Sequence, residues 1–304
     1  MILQFSLTAL LTLQGPVDWA AFLARQDLVW DRLPTGWGES AFIGNGRLGA
    51  TIDARDSALG WTINRTDVVH DQSRFPIGRV VLKTAGTLTG GTARLALFDA
   101  EASGTVTTDR GDIRWRSFTA TDPSVIVIVL EGRGGERAVA LDWVPAEARP
   151  PRKVARKEAF APEDLHPAPT VMRTAAELTS VQPFIGGDAH AESILRSPSP
   201  EGRGGQGVRT FYVSIGYGKD GPAALAEARG STAAAARWGL TRLVDSHRRW
   251  WHSYYPASFL SFPDSRLEAY YWIQIYKLGS AMRADGPILD LNGPWFNATL
   301  DPLP

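Results

Sequence analysis

The sequence predicts a mostly β protein, a large antiparallel β-sandwich that gives way near Gly221 to a helical region. Three observations carry this reading. From Trp19 to about Gly218, short segments rich in β-branched and aromatic residues (Val80–Thr84, Ala93–Phe98, Ile113–Phe118, Val125–Glu131) alternate with turn clusters such as Gly90-Gly91, Asp109-Arg110-Gly111, Asp122-Pro123 and Gly134-Gly135. That punctuation belongs to hairpins and not to βαβ units. VIVIVL (Val125–Leu130) is apolar at every position, as a strand covered on both faces is. Beyond Gly221 the residues become Ala-, Leu- and Arg-rich at helical spacing.

In chain order, MILQFSLTALLTLQGPVDW opens with an apolar run from Ile2 to Leu13. It is too short to cross a bilayer as a helix. It resembles the apolar stretch of a secretory leader, although no Lys or Arg precedes it and no clean Ala-x-Ala site follows. Residues 1–16 are therefore read as a leader, and export is expected. Residues 17–221 are the sandwich. Within it Ile113, Trp115 and Ser117 alternate with Arg114, Arg116 and Phe118, the period-two pattern of a half-exposed strand. Residues 145–170, including the basic run ARPPRKVARK, and SPSPEGRGGQG (197–207) read as long solvated loops.

Residues 222–263 read as a helical linker, opened by Pro222 and interrupted by Gly230 and Gly239. Residues 264–304 begin with another helix, N-capped by Asp264 or Ser265, with Glu268 in its first turn and Gly286-Pro287 as its stop. Leu267, Tyr270, Tyr271, Trp272, Ile273, Ile275, Tyr276 and Leu278 leave it scarcely any polar face. Such a helix is built to be surrounded, by the sandwich or by partners. In water these side chains would forgo on the order of 10–20 kcal/mol. The chain is thus expected to aggregate or expose this helix unless cut back near residue 222.

Composition narrows the function. The 304 residues carry 32 Lys+Arg against 32 Asp+Glu, so nothing invites a phosphate backbone and nucleic acid is not expected as a partner. The absence of cysteine removes disulfides and thiol chemistry. No second apolar run suggests a membrane span. Eleven Trp fit either a large aromatic core or stacking surfaces for sugar rings.

Local motifs are few. GWGESAFIGNGRLGATI contains G-x-G-x-x-G, but no βαβ unit surrounds it, so a dinucleotide site is not read there. The glycines suit a hairpin or an interdomain turn; Asn45 within it is a candidate for meeting a polar ligand. His247 and His252 are five apart, off the spacing of paired metal ligands, and His70, His166 and His190 are scattered. No nucleophile elbow is present, and no metal or other cofactor is indicated. The sequons at Asn64 and Asn297 matter only in a eukaryotic secretory setting. Carboxylates are plentiful, but no motif nominates the acid–base pair that sugar hydrolysis uses.

Several stretches together resemble glycoside hydrolase family 95, the α-L-fucosidase and α-L-galactosidase group of the six-hairpin glycosidases. They are DLVWDRLPTGWGESAFIGNGRLGATI, WTINRTDVV (Trp61–Val69), HRRWWHSYYP (His247–Pro256) and LEAYYWIQIYKLGSAMRADGPILDLNGPW. The likeness runs in the family's order from about Val17 to Trp295, and is best in the GNG-x-x-G turn, the N-R-T-D strand and the terminal G-P-W. It implies an N-terminal supersandwich, a helical linker and an (α/α)6 barrel holding the active site, with residues 264–304 as the start of that barrel. It also implies inverting hydrolysis by a Glu acid and an Asp base lying beyond an Asn-x-Asn segment. None of these falls on a position of this sequence. No catalytic residue is assigned, and the chain reads as the front of such an enzyme, expected to be inactive alone.

Asn45, Asn292 and Trp295 are the candidates for reaching a substrate pocket or a domain interface, with an oligosaccharide as the expected partner. A second reading is a non-catalytic carbohydrate-binding sandwich, with Trp37, Trp61 or Trp115 as exposed stacking surfaces. A third is a purely structural or decayed product.

Overall fold

The computed structural model describes residues 17–71, 73–197, 208–289 and 292–296. The expected leader and nearly all of SPSPEGRGGQG lie outside these residues. The chain opens with helix α1 (Trp19–Ala24) and a short strand β1 (Leu28–Trp30). Strands β2 (Ala41–Gly44), β3 (Leu48–Arg55) and β4 (Ala58–Arg65) form a meander. A small hairpin of β5 (Val69–His70) and β6 (Ser73–Arg74) precedes β7 (Gly78–Lys83). Then β8 (Leu88–Ala96), β9 (Glu101–Thr108), β10 (Gly111–Ala120) and β11 (Val125–Gly132) follow as successive hairpins. β12 (Ala140–Pro145) returns to pair with β7. After helix α2 (Pro151–Arg156) come β13 (Thr170–Arg173), β14 (Glu177–Pro183), β15 (Ala189–Arg196) and β16 (Val208–Gly218). Helices α3 (Gly221–Tyr254) and α4 (Ser265–Ala281) complete the described elements.

All pairings are antiparallel. The large sheet has nine strands in the order β1-β8-β9-β10-β11-β16-β15-β14-β13, and the smaller one five in the order β12-β7-β4-β3-β2. Their facing sides share one core, in which Trp61 and Trp115 meet edge to face with ring centres 6.1 Å apart. The fully apolar strand behaves as its composition requires. Ile126, Ile128 and Leu130 enter the core between the sheets, while Val125 and Val127 point the other way into a cluster with Phe118, Tyr212, Ala235 and Leu243. Helix α3 supplies that second cover. It also corrects the reading of β10: Arg114 faces out, but Phe118 is fully buried because α3 lies over that end of the strand.

Asp220 caps α3, its carboxylate accepting from the Ala223 N–H at 2.8 Å, and Pro222 sits in the first turn, where its missing donor costs nothing. Of the two expected interruptions only Gly239 breaks the helix, at φ 75° and ψ 161°. The expected loop over 145–170 is more ordered than its composition suggests. It contains α2 and a helical turn at Pro162–Asp164, tied together by Lys153 Nζ donating to the buried Asp164 carboxylate at 2.5 Å.

Asp264 caps α4 as expected, accepting from the Arg266 N–H at 2.8 Å. The helix stops at Ala281 and not at Gly286-Pro287: Met282 turns to extended backbone, and the segment beyond packs on the sandwich. One face of α4 joins the sandwich core. Trp272 stands edge-on to Trp19 and Phe22, and Tyr276 donates its hydroxyl to the Phe42 carbonyl at 2.7 Å. Glu268 stands in the first turn as expected, but buried, accepting from Gln26 Nε2, Ser261 Oγ and the Phe262 N–H. The opposite stripe stays in solvent, with Leu267 56%, Tyr270 66% and Leu278 45% exposed. The helix therefore folds back over the sandwich with one face and keeps the other free. Among the described residues no helix is long and apolar enough to cross a membrane.

Candidate functional site

The β2–β3 turn is where the sequence motifs meet. Asn45 Oδ1 accepts from the Arg47 and Leu48 N–H groups at 3.0 and 2.8 Å, closing the turn on itself. Its Nδ2 donates to the Ala120 carbonyl at 2.6 Å and to Ser124 Oγ at 3.0 Å. Both donors and both acceptor positions of the amide are filled, and the side chain is buried. Asn45 is a turn-closing and sheet-bridging residue and has no capacity left for a polar ligand.

Each glycine of GNGRLG admits a piece of the later chain. A Cβ on Gly44 would lie 2.5 Å from the Ser280 carbonyl oxygen, and one on Gly49 2.8 Å from Pro294. Gly46 has φ +86°, donates to the Ser280 carbonyl at 2.8 Å, and would press a Cβ to 2.9 Å from the Met282 carbonyl carbon. Left-handed backbone and steric contact act together here, so Gly46→Ala is expected to destabilise by about 1–3 kcal/mol. Chemical denaturation reads this; a change under 0.5 kcal/mol would show that the turn and α4 are not locked together.

The segment 292–296 docks on the same surface. Trp295 is buried against Phe42, with its Nε1 donating to the Ile43 carbonyl at 2.9 Å, and its own carbonyl accepts from Trp37 Nε1 at 3.0 Å. Asn64 Nδ2 donates to the Phe296 carbonyl at 3.0 Å and Arg74 Nη1 to the Gly293 carbonyl at 2.7 Å. Asn292 is exposed, its carbonyl accepting from the Trp295 N–H. Of the three candidates, Asn45 and Trp295 thus come to one junction as packing and hydrogen-bonding groups, and Asn292 sits at its rim. Two of the proposed stacking surfaces are corrected outright. Trp61 is 0% and Trp115 2% exposed, so neither can meet a sugar ring. Trp37 is half-buried.

The residue that sequence reasoning missed is Arg283. Its guanidinium lies 3.5 Å over the Trp250 ring, Nη1 donates to the Met282 carbonyl at 2.9 Å, and Nε is buried without an acceptor. No carboxylate pairs with it among the described residues, and burial pulls its pKa down to about 10. A half-buried cation held by ring faces and one backbone carbonyl, with no carboxylate among the described residues, is unusual; the only signal in the sequence is a charge just after an apolar helix. His247 and His252 make packing contacts between α3 and the sandwich. His247 Nε2 donates to the Asp99 and Ala100 carbonyls, and His252 stacks on Phe98 while bonding Asp99 Oδ1 at 2.8 Å.

No protein-family model matches the chain, and no curated protein matches it. Among solved structures, a protein described as a kojibiose phosphorylase from the human microbiome superposes with a TM-score of 0.50 at 10% identity, over 79% of this chain and 36% of that one. A family 92 α-mannosidase from Bacteroides thetaiotaomicron gives a TM-score of 0.37 at 8% identity, over 84% of this chain and 40% of that one. The chain therefore spans well under half the length of these neighbours. With the phosphorylase it shares a fold, the β-sandwich followed by helices.

Proposed function

We propose that this chain is the sandwich-and-linker part of a glycoside hydrolase of the family 95, α-L-fucosidase type. In that reading the chain organises an adjoining helical domain and the catalytic carboxylates lie outside it. The observation that carries the reading is convergence. The GNGRLG turn, the Asn64 strand, the HRRWW helix and the G-P-W segment, spread over some 250 residues, meet at one junction through the contacts of Gly46, Asn64, Trp251 and Trp295.

Two further features fit an adjoining helical layer. The outer stripe of α4 is apolar and exposed, and Arg283 at its end pairs with no carboxylate among the described residues. A covering helix that brings a carboxylate would satisfy both. In this reading the apolar run Ile2–Leu13 would act as a leader for export.

The test has two parts. The reading frame past the Pro304 codon should continue into helical repeats carrying a Glu and Asp pair; a stop codon there removes the hydrolase reading. The purified 304-residue chain should release no fucose from a fucosyl oligosaccharide. Release would mean that the chemistry resides in these residues after all. The alternative, a non-catalytic glycan-binding sandwich, keeps only Trp37 of its three proposed stacking residues.

A further inference from the structure

We propose that the cleft between the open edges of the two sheets is a binding site for a small anionic sugar, a pyranose carrying a carboxylate. The sugar part rests on the carbohydrate reading above; the anion part rests on the cleft itself. A cavity of about 410 Å³ opens where β12, the edge of the small sheet, faces the β13–β14 end of the large one. That volume falls in the range of small-molecule sites. Leu141, Leu178 and Phe211 line it with apolar surface.

The charges around this lining are unbalanced. Of its two acids, Asp142 already accepts from Arg173 Nη2 at 3.1 Å across the gap between the sheets, and from the Trp143 N–H at 2.8 Å. Glu177 accepts from Arg229 Nη2 and from Ser193 Oγ, both at 2.9 Å. Both carboxylates are spoken for. Lys83 reaches Asp142 only at 4.0 Å, and among the described residues the Arg196 side chain, exposed at the rim, meets no acid. The cleft thus combines an apolar lining with an exposed guanidinium and a loosely held ammonium at its rim.

That pairing selects a ligand. A pyranose lays its C–H face on apolar side chains and turns its hydroxyls to planar polar groups, here the ion-paired Asp142 and Arg173. A carboxylate gives Arg196 the two-pronged partner its geometry fits. A neutral sugar would leave Arg196 unanswered, and a plain hydrocarbon would desolvate the rim charges without replacing their water. With both acids engaged, the site is read as binding and not as catalytic.

Isothermal titration calorimetry on the full chain at low ionic strength tests this, with sodium glucuronate as the probe and glucose and sodium acetate as comparators. Glucuronate should bind saturably, and glucose and acetate at least tenfold more weakly. Arg196→Gln and Lys83→Gln each alter an exposed side chain, so neither variant should disturb the fold; each should weaken glucuronate at least threefold, and Arg196→Gln the more. No glucuronate binding, or binding untouched by both substitutions, overturns the site. Equal affinity for glucose overturns the anion, and equal affinity for acetate overturns the sugar. None of these outcomes bears on the junction, whose reading is tested by the reading frame and by fucose release.

Discussion

A chain ended at Gly221 is expected to lose cooperative unfolding, and Trp272→Ala in the full chain to cost about 3–5 kcal/mol. The first expectation follows from what α3 covers. Phe118, Val125, Val127 and Tyr212 are fully buried beneath it, in a cluster whose helical side is Ala235 and Leu243. Each such side chain returned to water forgoes roughly 1.5–3 kcal/mol, a total comparable to the stability of a whole domain. This reverses the expectation that trimming near residue 222 would rescue the protein: trimming there strips one face of the large sheet. The second expectation follows from Trp272, which is 0% exposed, packs edge-on to Trp19 and Phe22, and donates its Nε1 to the Leu260 carbonyl. Urea unfolding followed by tryptophan fluorescence, with light scattering for association, reads both. A monomeric truncated chain with a sharp transition would show that the sandwich is self-sufficient. A loss under 1 kcal/mol for Trp272→Ala would mean that α4 is only loosely docked.

Much of this architecture is written in local pattern. Hairpin punctuation marked the turns before β10 and β11 at Asp109-Arg110 and Asp122-Pro123, although Gly90-Gly91, read as a turn, lies within β8 and β9 was not read as a strand. The unbroken apolar run Val125–Leu130 announced a strand with cover on both sides, because a strand's two faces alternate and each must be dry for every residue to be apolar. Asp264 and Pro222 marked helix starts from local chemistry, whereas the Asp220 cap was not singled out. What covers a face is a tertiary matter, and there the sequence was silent. Nothing around Phe118 distinguishes burial by a helix from exposure, and nothing in Glu268 says that Gln26, 242 positions earlier, will meet it. The GNGRLG glycines were legible as needing space, but not as needing it for Ser280, Met282 and Pro294. Arg283 and the Arg196 cleft escaped entirely, because an unpaired charge is defined by the absence of neighbours, and spacing along the chain does not report that.

Stability is expected to fall by about 3 kcal/mol between pH 6.5 and 4 through His247 alone. The side chain is buried between α3 and the β8–β9 turn, near the Phe118 ring, with Nε2 donating to the Asp99 and Ala100 carbonyls at 3.0 and 3.2 Å. Burial lowers its pKa from 6.5 to about 4, and the nearby Arg283 and Arg248 push in the same direction. The sign follows from proton counting. Below pH 6.5 the unfolded chain takes up a proton at this histidine while the folded chain does not, so unfolding gains free energy as the pH drops, until the folded imidazole also titrates near 4. Each pH unit across that window is worth about 1.4 kcal/mol. Carboxylates such as Asp53, held below the usual range by Arg55, Arg79 and Ser40 against the opposing effect of burial, contribute their losses lower down. His247→Gln separates the two, because its amide can donate to the same carbonyls but does not titrate. Wild type should lose its margin over this variant between pH 6.5 and 4, while both lose stability together below 4. Parallel curves over the whole range would mean that the histidine is charged or solvated in the folded state, and that the docking of α3 on the β8–β9 turn is looser than these hydrogen bonds require.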